Sequence, residues 1–121
     1  MINEFIGVLF LSRDVAHREH LKTTSYSQHK ALGHFYSDIE DLLDSLAEAY
    51  QGRHGIIEDI PIYSELRNEK GTAATKLKVY LSYIEEERYE AISKEDTALQ
   101  NIVDEIVGLF LSTLYKLENL K

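Results

Sequence analysis

The sequence predicts an all-α protein, a bundle of four helices with one long crossover connection. Three observations carry this. Apolar residues recur at helical spacings in four stretches, with runs of turn-forming residues between them. The 121 residues include one proline and six glycines, too few for the many turns of a β architecture. A hydrophobic fraction of 44% with 28% charged residues is that of a globular chain, and the length fits one domain over residues 1–121.

The first helix runs from residue 2 to near residue 22, with Ile2, Phe5, Ile6, Leu9, Phe10 and Ala16 on its inner face. The polar run KTTSYS breaks that pattern. Ser25 or Ser27 then caps a second helix by accepting a bond from an unpaired amide. This helix stops at Gly52, and its core stripe is Leu32, Phe35, Ile39, Leu42, Leu43, Leu46 and Tyr50. Gly52, Gly55, Pro61 and Gly71 mark the long connection, in which IYSEL is expected to form one short helical turn. A third helix covers Ala73 to Ala91 and turns Leu77, Tyr80, Leu81 and Ile84 inward. Ser93 or Asp96 caps the fourth, from Thr97 to Leu120, with Leu99, Ile102, Val103, Ile106, Leu109, Phe110, Leu114 and Leu117 apolar. The short matching pieces IGVLFLS and IVGLFLS are expected to place Gly7 and Gly108 where helices pack closely.

Composition excludes several functions. Thirteen basic against 21 acidic side chains give a net charge of −8, and the basic residues are scattered singly. Such a surface repels a phosphate backbone, so nucleic-acid binding is not expected. Without cysteine there is no disulfide or thiolate site, as suits a cytoplasmic protein. The longest apolar run, FIGVLFL at 5–11, is too short to span a bilayer, so no membrane association is expected. No Gly-rich elbow presents a serine nucleophile, and GTAATK lacks the features of a phosphate loop.

Metal binding is the chemistry left. Four of the five histidines, His17, His20, His29 and His34, lie between residues 17 and 34, and the last two helices hold none. No Glu-x-x-His pair exists, so a di-iron centre spread through the bundle interior is excluded. Any site must come from the first two helices. On the second, Asp44 and Glu48 sit one turn apart, and with His29 and Glu40 they fall in a quadrant of about 100° beside the apolar stripe. His29 and Asp44 are fifteen residues apart, or about 22 Å along the axis, so one chain cannot hold one ion with both. Antiparallel pairing of this helix with a second copy solves the problem, giving two equivalent imidazole–carboxylate sites suited to Fe(II).

The spacing of His17, His29, Asp44 and Glu48, twelve, fifteen and four residues, together with DSLAE at 44–48, resembles the pattern of the Dps-like ferritins. The resemblance covers essentially the whole chain and includes small ferritin-like proteins of bacteriophages. It implies a ferritin-like fold and a homo-oligomer, dodecameric in that family. It also implies an intersubunit ferroxidase site: iron oxidised by peroxide and stored, ligated by His17 and His29 of one chain and Asp44 and Glu48 of its partner. The chain departs from the pattern at Gly33, where the family has an acid, and at Arg18, where it has a tryptophan. The family's basic DNA-binding tail is not seen in MINEF. His34 or Glu40 is expected to compensate for Gly33, with His20 as an outer ligand. The alternative expectation is a ferritin-like scaffold or interaction protein without a ferroxidase centre.

Overall fold

The computed structural model describes residues 1–65 and 70–120. Four helices follow in order: α1 (Ile2–Lys22), α2 (Tyr26–His54), α3 (Ala73–Ala91) and α4 (Thr97–Asn119). Among the described residues there is no strand. Each restart has a side-chain cap: the oxygens of Ser25, Thr72 and Asp96 accept from the amides of Gln28, Thr75 and Leu99. Ser27, the other candidate cap of α2, instead donates to the carbonyl of Leu120, tying the start of α2 to the end of α4.

Contacts set the arrangement. α1 packs against α2 and α3, and α4 packs against the same two, so α1 faces α4 and α2 faces α3 across the diagonals. Ion pairs give the directions. Lys76 at the start of α3 meets Glu19 at the end of α1 at 3.3 Å. Arg53 at the end of α2 meets Asp96 at the start of α4 at 2.7 Å. α2 and α3 are therefore parallel and diagonal, and the connection between them must travel the length of the bundle. It does so beside α1: the Asn3 amide donates to the carbonyl of Asp59, and Pro61 and Tyr63 lie against Gly7. One long crossover of this kind is the connectivity of ferritin-like bundles.

The core runs along the axis, from Phe5, Ile6 and Leu9 on α1 to Phe35 and Leu43 on α2, Tyr80 and Ile84 on α3, and Val103 and Phe110 on α4. Phe35 and Phe110 meet edge to face, ring centroids 4.8 Å apart.

The structure corrects four local expectations. α2 runs through Gly52 to His54 and ends where Gly55 takes a φ of 94°, because an exposed glycine weakens a helix without stopping it. Phe10 is 45% exposed; it lies one position beyond the inward-facing Leu9 and turns toward a cleft under Pro61, Ile62 and Tyr63. Ile62–Glu65 is not helical, and the last residue of IYSEL lies outside the described residues. Gly7 does meet a close neighbour, but it is the crossover rather than a helix, and a Cβ on Gly108 would touch nothing within 4 Å.

Candidate metal centre

The corner where α1 ends and α2 begins gathers aromatic and imidazole rings. His17 and His20 are one turn apart near the end of α1, and His29 and Tyr36 face them from the first third of α2. Tyr36 stacks on His17 with centroids 4.0 Å apart and planes within 9°. It meets His20 edge-on at 5.3 Å, and His20 stacks on His29 at 3.8 Å. All four side chains are half-buried.

His20 and His29 also exchange hydrogen bonds. Nδ1 of His20 donates to the carbonyl of His29 at 2.7 Å, and Nδ1 of His29 to the carbonyl of His20 at 2.8 Å. A carbonyl only accepts, so each Nδ1 carries the hydrogen, and in the neutral ring Nε2 keeps its lone pair. Metal-ligating histidines are held in this way, one ring nitrogen anchored on a backbone carbonyl and the other left to the ion.

The sequence-predicted residues divide into two groups. His17 and His29 come to this corner, linked through Tyr36 and His20. Asp44 and Glu48 are on the exposed side of α2, about 22 and about 28 Å further along the helix from His29, and neither forms an ion pair among the described residues. Among the described residues, no three His, Asp or Glu side chains are placed to hold one metal ion. The donors present, imidazole nitrogen and carboxylate oxygen, are of a chemistry that binds such ions, but the two groups lie apart along the same helix.

Neither expected substitute for the acid at Gly33 joins the corner. Glu40 is held by the guanidinium of Arg13, and His34 is exposed. His54, at the far end of α2, rests on Tyr50 at 4.5 Å. Sequence reasoning gave His20 a minor part and missed Tyr36. The i, i+3 spacing of His17 and His20, with Gly33 four residues after His29, was the available signal.

Fold and corner together define a four-helix bundle with an imidazole cluster between its first two helices. The chain belongs to a family of unknown function, DUF5856, whose model matches residues 20–117. That span includes His20, His29, Gly33, Tyr36, Asp44 and Glu48 and stops short of His17. The chain is also similar to an uncharacterized 14.6 kDa protein in the mobD-ri intergenic region of Enterobacteria phage T4. The two are 30% identical over 118 residues, 95% of this chain and 86% of the phage protein. No solved structure matches the chain. No helix among the described residues is long and apolar enough to cross a membrane.

Proposed function

We propose that two copies of this chain pair antiparallel through α2 and bind Fe(II) between them, as the resemblance to Dps-like ferritins implies. His17 and His29 of one copy and Asp44 and Glu48 of the other are the ligands. The observation that supports this best is the division of donors along α2. His29 has its Nδ1 anchored on the backbone, and Asp44 and Glu48 on the same helix are exposed and form no ion pair among the described residues. Charge favours the same pairing. The first part of α2 carries Lys30 and no acid before Asp38, whereas Asp38, Glu40, Asp41, Asp44 and Glu48 follow. Antiparallel copies set each basic end against the other's acidic stretch.

In this reading Fe(II) is the substrate and hydrogen peroxide the oxidant. Peroxide takes one electron from each of a pair of ferrous ions and leaves as two hydroxide ions. The acidic surface draws cations in, and the anchored imidazole of His29 meets them with little reorganisation. A larger homo-oligomer retaining the ferric product follows from the resemblance alone.

Aerobic Fe(II) oxidation with added peroxide, followed by gel filtration with iron detection, tests the proposal. Oxidation faster than in buffer, iron eluting with a large protein peak, and loss of both in His29→Ala are expected. A second reading rests on the exchanged bonds of His20 and His29, which brace the α1–α2 corner whether or not a metal binds. On that reading the protein is a non-catalytic scaffold, and iron precipitates as it does in buffer alone.

A further inference from the structure

We infer that the outer face of α4 between Glu105 and Lys116 is an interface with a second copy of this chain, formed by antiparallel pairing of α4 about a two-fold axis. The inference is independent of metal binding and needs no ion.

The outward positions in the middle of this face are Gly108, Leu111, Ser112 and Tyr115, all uncharged and exposed at helical spacing. Leu111 is 54% and Tyr115 58% exposed, one turn apart. Two large apolar neighbours left in water on the outside of a bundle mark a surface that another molecule covers. Between them and Glu105 the backbone is bare. A Cβ on Gly108 would meet nothing within 4 Å inside the chain, so packing within the bundle gives no reason for a glycine that weakens the helix. A second helix laid on this face can approach the bare backbone closely.

Charge identifies the second helix. Glu105 and Lys116 are eleven residues apart, three turns and about 16 Å along the axis, so they lie on one edge of the uncharged stretch. Glu105 borders the groove between α4 and α2, together with Asp38 and Asp41. Among the described residues none of these three carboxylates, nor Lys116, forms an ion pair. A two-fold axis midway along the stretch brings Glu105 of each copy level with Lys116 of the other, on the same edge, so both pairs close together. Parallel pairing would set like charges against each other. The antiparallel axis also brings the two Leu111 side chains together and sets each Tyr115 toward the other copy's Gly108. Where α2 pairs as well, this second two-fold contact joins those pairs into a larger assembly.

Equilibrium sedimentation of the intact protein without added metal tests the interface. Glu105→Lys and Lys116→Glu each set like charges across the axis and are expected to weaken the association at least tenfold, halving the mean mass at a concentration where the parent is paired. The double variant Glu105→Lys with Lys116→Glu restores opposite charges and is expected to regain the parent's mass. Gly108→Leu is expected to melt no lower than the parent, since its side chain meets nothing within the chain, yet to associate at least tenfold more weakly. Thermal melts like the parent's in the charge variants exclude unfolding as the cause of dissociation. A monomeric parent, single reversals or Gly108→Leu with the parent's mass, or a double reversal no heavier than the single ones would overturn the inference.

Discussion

His20 and His29 each donate Nδ1–H to the other's backbone carbonyl, at 2.7 and 2.8 Å, with their rings stacked 3.8 Å apart. The carbonyl of His20 lies in the last turn of α1, beyond the reach of an intrahelical donor, whereas that of His29 lies inside α2 and accepts the imidazole as a second partner. Removing either ring takes one imidazole donor from these carbonyls and half of the stack. His20→Ala or His29→Ala is therefore expected to lower stability by about 1–3 kcal/mol, read from the midpoint of urea unfolding. An unchanged midpoint would mean that the exchange contributes nothing.

Two glycines in helices should respond in opposite directions. At Gly7 a Cβ would come to 2.9 Å from Cγ of Pro61, 3.0 Å from its carbonyl oxygen and 3.0 Å from Cε2 of Tyr63. The crossover must move to admit it, so Gly7→Ala is expected to cost about 1–3 kcal/mol. At Gly52 a Cβ would meet nothing within 4 Å, and the residue is helical and exposed. Gly52→Ala should stabilise by about 0.5–1 kcal/mol through helix propensity alone. Thermal melts of the two variants check both signs.

The turn between α3 and α4 is held by Gln100, which is 6% exposed. Its Nε2 contacts the carbonyls of Arg88, Ile92 and Ser93 at 3.3, 3.1 and 3.3 Å, and its Oε1 accepts from Nε of Arg88 at 2.8 Å. Gln100→Ala leaves these groups without their partner and is expected to cost about 2–3 kcal/mol in urea unfolding. A loss under about 0.5 kcal/mol, the scale of an ordinary surface change, would contradict this assignment.

Where the crossover meets α1 and α3, burial pushes the Tyr83 hydroxyl up to about 12, helped by Tyr63, Glu4 and Glu87. A phenol that ionises near 10 when unfolded and near 12 when folded contributes its full stability below pH 10. That contribution is lost as pH rises from 10 to 12. Alkaline unfolding should fall in this window, and Tyr83→Phe should flatten stability across it. An identical alkaline profile for the variant would place the cause elsewhere.

The helices were legible because each carries its own local signal, an apolar period and a capping residue, as at Ser25 and Asp96. What sequence missed depends on contacts between distant segments. Gly52 and Gly55 both look like helix ends, and only the backbone at Gly55, with φ at 94°, shows which one stops α2. Phe10 belongs to the helical apolar face by period, yet the crossover lies beside it and leaves it 45% exposed. The candidate site divides in the same way. Spacing along α2 separated His29 from Asp44 and Glu48 correctly, since helical rise alone fixes that distance. The fit of His20 over Gly33 needs α1 and α2 side by side, and no spacing within either helix contains it.

The measurement that tests the intersubunit site most directly is complementation between two inactive variants. His29→Ala and Asp44→Ala are each expected to lose Fe(II) binding and oxidation. Unfolded together and refolded as a mixture, half of the pairs formed at random contain one chain of each kind. Every such pair has one of its two sites intact, so the mixture should recover roughly a quarter of the parent's capacity. Recovery of that size means that the imidazoles and the carboxylates come from different chains. A mixture as inactive as its components, where the parent is active, would contradict the shared site.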